Sequence, residues 1–387
     1  MIDEIDKEMI EIYKEDIEDN DASYAPFGFA FQADAGIFLF IKHFSEIKSI
    51  SIESKLQDIE LVKKSGELIL AQAKSSQNPM KTNTERGKLI DALFSLIKCN
   101  NNKSDTLIYI SNLPDPLKSN DKNEFNLREV NYKYLSTEAA SNVDAAIETI
   151  KLKLNAKIND AETSSAIKNK SRIILKHLDD LNKEKLYFIS IPKYYGDKED
   201  ERTLEIINHI QLFLSNEMKY MPSTALSMSK QIYEIWHNIC YFDSTLDSKS
   251  DKKYIKKDEL IWPLITLFNE RINVTDLQKI VDEYITIETQ DKVNYLSHDF
   301  IKLNDFELVN KILSSYEEYR KSNQNNILDF IKDNWKNFEN SFNYLNNAND
   351  FDSLDKKCAI MFFIYCILQN YGNVQKILRG GDIDENN

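Results

Sequence analysis

Two short apolar runs joined by a turn sequence constrain the fold of this chain most. Residues 58–63 read DIELVK and residues 68–74 read LILAQAK, with Gly66 in the segment that joins them. Runs of branched apolar residues on either side of a glycine-containing turn are typical of a β-hairpin. A three-residue loop that ends at Gly66 would give this residue the left-handed backbone conformation, which costs glycine least. The sequence therefore predicts a hairpin in which Lys63 faces Glu67.

Three polar side chains are predicted to share one face at the open end of this hairpin. Counting outward from the turn places Asp58 opposite Gln72. Lys74 lies on the same face because strand side chains alternate with period two. A two-residue loop would instead place Asp58 opposite Ala73 and would separate the three polar groups. The predicted cluster thus depends on the length of the loop.

This cluster combines chemical groups that suit metal-dependent hydrolysis of phosphodiesters. The carboxylate of Asp58, the Oε1 atom of Gln72 and the carbonyl of Ala73 are hard oxygen ligands of the kind that Mg²⁺ prefers. The ammonium group of Lys74, close to such an ion, can orient a water and neutralise charge that grows on the phosphate. A D…QxK spacing alone is more often the solvated end of an edge hairpin, so the surrounding elements must decide between the two interpretations.

The segments around the hairpin predict a mixed α/β fold. Residues 28–44 are apolar on nearly every side, which indicates a buried helix. The strand-like run SISIE (49–53) precedes the hairpin, and residues 84–99 carry an apolar stripe at helical spacing. Further strand-like runs lie at 106–111 and 186–192. The predicted order is helix, three strands, helix and strand, with one more strand later in the chain.

The remainder of the chain is predicted to be mostly helical. Only 8 Gly and 7 Pro are present, which favours helices over an all-β fold. A charged helical stretch covers 137–185, and nearly everything after Asp200 has helical periodicity. The polar segment 243–258 indicates a linker or an exposed loop. We therefore expect two domains, 1–245 and 246–387, of which the second is all-helical and binds partners or forms oligomers.

Composition excludes several classes of protein. The four cysteines form no CxxC pair, so neither a zinc site nor a disulfide framework is implied. Residues 1–21 are acidic and predict an amphipathic helix rather than a signal peptide. The longest apolar runs are much shorter than the roughly 20 residues that a membrane span needs. These features favour a cytoplasmic protein without a membrane partner.

Four segments of the first predicted domain resemble the sequence elements of one nuclease superfamily. Residues 28–32 read GFAFQ, 52–54 read IES, 57–61 read QDIEL and 70–76 read LAQAKSS. Together they resemble the PD-(D/E)XK superfamily, and more narrowly the endonuclease domain of anti-phage effectors, whose elements are Gly-Phe-x-Tyr-Gln, Glu, Asp-Ile-x-Leu and Gln-x-Lys. Such domains occur in the effector endonucleases of CBASS systems and in the nuclease subunit of Lamassu systems. Phe31 stands where the family often has tyrosine.

The resemblance implies a fold, an activity and a set of site residues. The fold would be a restriction-endonuclease-like α/β core, with a mixed sheet flanked by helices, followed by an all-α C-terminal region. The activity would be endonucleolytic hydrolysis of DNA with Mg²⁺, or with Mn²⁺ in its place. Asp58, Gln72 and Lys74 would be the metal-binding and catalytic residues, Glu53 a further acid at the metal and Gln32 a supporting residue on the buried helix. Gln72 stands where the superfamily signature has an acid; a glutamine here is usual for this branch, but it removes one negative charge from the metal site.

Charge and the C-terminal region bear on the partners of the chain. The formal net charge is −14, and an acidic surface repels the phosphates of double-stranded DNA. We therefore expect a monomer to bind DNA weakly, and activity to require a homo-oligomer or a basic partner. The C-terminal third does not resemble the nucleotide-sensing domain of CBASS enzymes. This favours a Lamassu-type effector that partner defence proteins control, with an SMC-like ATPase complex as the expected partner.

Two other functions fit the same residues, and some residues have simpler interpretations. The chain could be a non-catalytic interaction protein that keeps the nuclease fold, or an RNA nuclease, because a metal site does not identify the sugar. Glu53 could be an exposed acid at a strand end, and Gln32 a structural amide that needs hydrogen-bond partners on a buried helix. The basic run 81–88 could meet a phosphate at a helix N-terminus or could be a solvated helix start.

Overall fold

The fold is that of a computed structural model, whose described residues are 25–54, 56–75, 85–100, 103–120, 124–191, 199–218, 222–245, 254–267, 274–281, 283–303, 305–321, 326–342 and 351–381. The amphipathic helix predicted within 1–21 lies outside the described residues, and so do residues 81–84 of the basic run.

The chain divides into two compact units. The first combines Met1–Ile210 with Tyr233–Lys256, and the second combines Gln211–Ile232 with Lys257–Asn387. The long helix Pro222–Thr245 therefore contributes its first part to the second unit and its last part to the first unit. The division into two functional domains after residue 245 stays a prediction.

A mixed sheet of seven strands, counted over the described residues, runs through the first unit. The strands are β1 (Ile47–Ile52), β2 (Ile59–Lys63), β3 (Leu68–Lys74), β4 (Ser104–Ser111), β5 (Val130–Asn131), β6 (Leu186–Ser190) and β7 (Ile255–Lys256). Their order in the sheet is β5-β6-β4-β3-β2-β1-β7. The strands β1, β2 and β3 form an antiparallel meander, β4 pairs parallel with β3 and β6, and the short edge strands pair antiparallel. The parallel step from β3 to β4 requires a crossover connection, and a helix lies within it.

Helices cover both faces of this sheet. The helices up to Thr245 are α1 (Ala25–Lys42), α2 (Glu85–Lys98), α3 (Thr137–Asn159), α4 (Ser165–Asp179), α5 (Glu199–Asn216) and α6 (Pro222–Thr245), and the last two are each divided between the two units. A Cβ atom at Gly36 of α1 would lie 2.5 Å from Cδ1 of Ile52, so the absence of a side chain lets α1 approach β1 closely. Leu70 points to the opposite face from Ile52 and packs in one core with residues of α2, α3 and α4, such as Leu93 and Val143.

The structure confirms the predicted order of elements around the hairpin. The elements α1, β1, β2, β3, α2 and β4 follow one another as expected, and β6 forms the predicted later strand. The mixed α/β class and the helical C-terminal region are therefore confirmed. A restriction-endonuclease-like core stays a prediction.

One predicted element is confirmed in more detail, and two details are wrong. The charged stretch 137–185 is helical as predicted and forms two long helices, because Asp160 ends α3 and the side chain of Ser164 caps the start of α4. The first strand, by contrast, begins at Ile47, before the run SISIE. The predicted linker 243–258 includes the end of α6, where Asp243 is buried, and the strand β7.

The second unit is helical after Lys256 in the residues that are described. Its helices there are α7 (Lys257–Thr266), α8 (Val274–Val281), α9 (Ile287–Leu303), α10 (Phe306–Lys321), α11 (Ile327–Asn334), α12 (Ser353–Gln369) and α13 (Tyr371–Gly381). A capping box between Asp352 and Asp355 begins α12, and this helix is buried on nearly every side. Within the described ranges, no helix combines the length and the apolar character that crossing a membrane requires.

Candidate active site

The β2–β3 hairpin has the register that the sequence predicts. Lys63 N–H donates to the carbonyl of Glu67 at 2.8 Å, and Gly66 has a φ of 88°. Further along, Ile59 pairs with Ala71. The three-residue loop is therefore confirmed, and the next pair outward is Asp58 with Gln72.

The carboxylate of Asp58 gathers the other two polar groups of the predicted cluster. Its Oδ2 atom accepts hydrogen bonds from Gln72 Nε2 at 2.5 Å and from the backbone N–H of Ala73 at 2.9 Å. Lys74 Nζ lies 3.8 Å from the same oxygen. The side chain of Asp58 is 15% exposed and that of Lys74 is 33% exposed, so a solvent-borne molecule can reach both.

Glu53 and Gln32 join the cluster from β1 and α1. Glu53 directly follows β1, and its backbone N–H donates to the carbonyl of Asp58 at 2.6 Å. Its side-chain Oε1 atom accepts from Gln32 Nε2 at 2.5 Å. Glu53 is half-buried, so the alternative interpretation as an exposed acid is wrong. The structure thus brings all five predicted site residues together, while their roles stay predictions.

The backbone of Glu53 is held in a conformation that a non-glycine residue rarely adopts. Its φ is 54°, in the left-handed region, where a side chain costs about 1–2 kcal/mol. Backbone and side-chain hydrogen bonds to Asp58 and Gln32 hold this conformation in place. The left-handed turn ends β1 and directs the Glu53 carboxylate toward the buried helix α1.

The negative charge of the Asp58 carboxylate is only partly compensated by its neighbours. Burial raises the pKa of the Asp58 carboxyl above its usual range. The positive charge of Lys74, the Ala73 N–H and the amides of Gln72 and Gln32 favour the ionised form, but they do not offset the burial. The ionised carboxylate therefore has less compensating positive charge than it needs, and a bound cation would supply the missing charge.

The oxygen atoms of the cluster fit a hard divalent cation. Gln32 Oε1 is buried and has no hydrogen-bond partner among the described residues, although its amide nitrogen is bonded to Glu53. An unsatisfied amide oxygen beside two carboxylates is a suitable ligand for Mg²⁺. No three His, Cys, Asp or Glu side chains come together to hold a metal anywhere in the described parts of the chain, so a cation here would depend on Asp58, Glu53 and neutral oxygens.

One predicted ligand, Gln72, is oriented differently from the prediction. Gln72 turns its amide nitrogen, rather than Oε1, toward Asp58. A half-turn of the terminal torsion exchanges the two atoms, so this amide can still offer oxygen to a cation. Ala73 contacts Asp58 through its N–H, and the role of its carbonyl stays a prediction.

The structure places a second lysine near the site, Lys88, whose role the sequence left open. Lys88, in the first turns of α2, donates from Nζ to the carbonyl of Ser75 at 2.7 Å. Ser75 directly follows Lys74, so a second ammonium group lies beside the end of β3. The sequence does contain a signal for this placement. α2 lies in the crossover connection that follows β3, so the start of this helix is expected near the end of that strand.

Comparison with known proteins adds little to this geometry. No protein-family model matches the chain, and no curated protein matches it. Among solved structures it is similar to a Cap4 SAVED/CARF-domain containing receptor from Moraxella osloensis, with 14% identity and a TM-score of 0.31. The similarity covers 62% of this chain and 47% of that chain, so this chain spans about half the length of the receptor. A similarity at this level supports neither a fold assignment nor a function.

Proposed function

We propose that the chain is a metal-dependent endonuclease that hydrolyses phosphodiester bonds of DNA at the open end of the β2–β3 hairpin. One observation carries this proposal. The partly buried carboxylate of Asp58, whose pKa is raised, lies 3.8 Å from the partly exposed ammonium group of Lys74. An undercompensated carboxylate beside a cation that solvent can reach is the arrangement that metal-assisted hydrolysis of a phosphodiester needs.

The oxygen ligands of the proposed site come from α1, from the end of β1 and from the open end of the β2–β3 hairpin. Asp58 and Glu53 would hold a divalent cation, with further oxygens from the amides of Gln32 and Gln72 and from the Ala73 carbonyl. When bound, Mg²⁺ or Mn²⁺ supplies a water of lowered pKa and offsets charge on the scissile phosphate. The two carboxylates give the site its negative charge, and the neutral amides adjust its geometry without adding charge.

Lys74 would act on the reacting groups. In hydrolysis the water oxygen bonds to phosphorus and one ester P–O bond breaks. Lys74 Nζ can donate hydrogen bonds to the attacking water and to a non-bridging phosphate oxygen, and so stabilise the charge that grows there. Lys88 donates to the carbonyl of Ser75, the residue after Lys74, and adds positive charge that attracts the DNA backbone.

The biological setting and the control of the enzyme are also part of the proposal. The motif resemblance supports a role as an effector of anti-phage or anti-plasmid defence. The net charge of −14 supports activation by assembly, since an acidic monomer binds DNA weakly at physiological salt. A homo-oligomer or a complex with partner defence proteins, such as an SMC-like ATPase, would supply the missing positive surface.

A cleavage assay tests the proposal. Supercoiled plasmid and a structured RNA are incubated with the protein, alone and with candidate partners, in Mg²⁺, in Mn²⁺ and in chelator. We expect metal-dependent nicking of the plasmid by wild type, loss of nicking in Lys74→Ala, and retention in Lys63→Ala, which removes a lysine from the turn end of the same hairpin.

Other outcomes separate the alternatives. Cleavage of the RNA alone would replace DNA with RNA as the substrate. The absence of metal-dependent cleavage of either polymer, in every assembly, would indicate a nuclease-fold interaction protein without catalysis. Strong cleavage by a dilute monomer at physiological salt would contradict activation by assembly.

A further inference from the structure

The end of β1, directly before Glu53, is fixed by a residue far away in the sequence. Among the described residues, β1 pairs with β7 at Ser49 and Ile50. The N–H of Ile52, the last residue of β1, donates instead to Asp243 Oδ2 of α6 at 2.8 Å. Asp243 is buried, and a buried carboxylate that accepts from a backbone N–H makes a strong hydrogen bond. A helix side chain thus holds β1 two residues beyond its described pairs with β7.

The position of this hydrogen bond matters for Glu53. Neighbouring residues of a strand direct their N–H groups to opposite sides, so Ile52 is held by Asp243 on one side and Glu53 by the Asp58 carbonyl on the other. Glu53 must then adopt a φ of 54°, which is unfavourable unless both neighbours are fixed. Asp243 therefore supports the turn that directs the Glu53 carboxylate into the site.

The same part of α6 also contacts α1, which carries Gln32. The hydroxyl of Tyr233 donates to the buried Asp34 Oδ1 at 3.0 Å, and His237 Nε2 lies 3.7 Å from that oxygen. The ring of Trp236 packs edge-on against Phe40 of α1, with 5.2 Å between ring centroids. The two elements that bring Gln32 and Glu53 to the site, α1 and β1, therefore both contact residues 233–243 of α6.

We propose that residues 233–243 of α6 position the metal-binding groups of the site, and that Asp243 is the positioning residue for Glu53. This inference rests on the proposed function, because it concerns the geometry of the proposed metal site. Asp243 acts through Ile52 and Glu53 and does not itself touch the cation or the DNA. Loss of its hydrogen bond should loosen Glu53, and so weaken metal binding more than it impairs the chemistry after binding.

Two measurements on the full chain test this role, and neither of them depends on cleavage activity. The first is the affinity for Mn²⁺, measured by isothermal titration calorimetry. The second is amide hydrogen exchange over the segment 50–58. The variants are Asp243→Ala, and Asp243→Asn, whose amide oxygen can still accept from Ile52. The matched control is Asp305→Ala, which removes a carboxylate that accepts from Leu308 N–H at 2.9 Å in the second unit.

The expected pattern distinguishes positioning from stability. Asp243→Ala should weaken Mn²⁺ binding by about tenfold and speed exchange in 50–58, while Asp243→Asn should stay within about twofold of wild type. Asp305→Ala should lower the melting temperature without changing Mn²⁺ affinity. If Asp243→Ala does not fold, Asp243→Ser, whose shorter side chain retreats from Ile52, takes its place with the same expectation.

Two results would overturn the inference in different ways. Unchanged Mn²⁺ affinity and unchanged exchange in Asp243→Ala would remove Asp243 as a positioning residue and leave the proposed function intact. A wild-type protein that binds no Mn²⁺ would overturn the proposed function together with this inference, whatever the exchange data show.

Discussion

The two ends of the β2–β3 hairpin both carry charged residues, yet they differ in how those charges are compensated. At the turn end, Lys63 forms ion pairs with Asp105 and, at 3.2 Å, with Glu46. His43 continues this network, with its two ring nitrogens 2.5 Å and 2.7 Å from carboxylate oxygens of Glu46 and Glu129. At the open end, Asp58 has one ammonium group at 3.8 Å and several neutral donors.

The pKa directions follow this difference. The hydrogen bond from Lys63 lowers the pKa of Asp105. Burial would lower the pKa of Lys63, but Asp105 and Glu46 outweigh it and the net direction is upward. Burial raises the pKa of Asp58 at the other end. The turn end is thus charge-compensated and structural, whereas the open end keeps an undercompensated charge, which is common at functional sites.

The largest expected difference between the two ends is in activity. Asp58→Ala should reduce metal-dependent plasmid cleavage by about 10³-fold, because it removes the central ligand of the proposed metal site. Asp105→Ala removes a carboxylate from the turn end and should leave the rate within about threefold of wild type. Initial rates at saturating Mg²⁺ provide the comparison. Equal losses in the two variants would show that the hairpin is needed only as a folded unit.

A change at the turn should affect stability without affecting the site. Gly66→Ala places a side chain at a φ of 88° and should lower the free energy of unfolding by about 1.5 kcal/mol. Nothing lies within 4 Å of the added Cβ, so the cost is conformational and the register should persist. Urea unfolding measures the loss, and cleavage at a temperature where the variant stays folded should match wild type. Loss of activity in the folded variant would contradict a purely structural turn end.

Neutral substitutions should change stability in opposite directions at the two ends. Without metal, Asp58→Asn should raise the free energy of unfolding by about 1 kcal/mol, because it removes a buried charge and keeps an oxygen for the Gln72 and Ala73 donors. Asp105→Asn should lower it by about 0.5 kcal/mol, since it weakens a partly exposed ion pair with Lys63. Chemical denaturation in chelator tests both. Destabilisation by Asp58→Asn would indicate that its charge is already well compensated.

The turn end should also show a pH dependence of stability, through His43. Burial alone would lower the pKa of His43, but hydrogen bonds and charges from Glu129 and Glu46 raise it overall. Its contribution to stability is therefore present below its unfolded pKa and is lost as the pH rises through the higher folded pKa. His43→Gln should accordingly cost about 1 kcal/mol at about pH 5.5 and much less at about pH 8.5.

His209 provides the control with the opposite sign. Burial, and then the charge of Lys42, lower the pKa of His209. Its neutral form is favoured by folding, so His209→Gln should cost less at acidic pH than at alkaline pH. Thermal unfolding of both variants across this range checks the pair. Parallel pH profiles for His43→Gln and His209→Gln would show that the network at the turn end does not hold a charged histidine.

Local patterns are enough to predict the hairpin and three of the five site residues. Alternation of side chains and a loop that ends at Gly66 place Asp58, Gln72 and Lys74 together, because strand geometry leaves little freedom over so few residues. Glu53 and Gln32 were predicted only through the motif resemblance, since no local rule brings a strand end and a helix to the same carboxylate.

Contacts between distant segments could not be predicted in this way. Asp243 lies 191 residues from Ile52 in a stretch whose polar sequence indicated a linker. The two-residue strand β7 is too short to have a sequence pattern, and it exists because β1 offers it an edge. The orientation of the Gln72 amide also depends on which neighbouring groups need donors, and that is decided only when all the elements are packed.

The most direct test of the proposed metal site is anomalous diffraction from crystals soaked in Mn²⁺. We expect a manganese peak with an oxygen of Asp58 in its coordination shell, at about 2.1 Å, and with Glu53 or an amide oxygen of Gln32 or Gln72 as a further ligand. The peak should disappear in Asp58→Ala and persist in Asp105→Ala. No peak at Asp58 in the wild-type protein, or a peak that survives Asp58→Ala, would contradict the claim that the open end of the hairpin is a metal site.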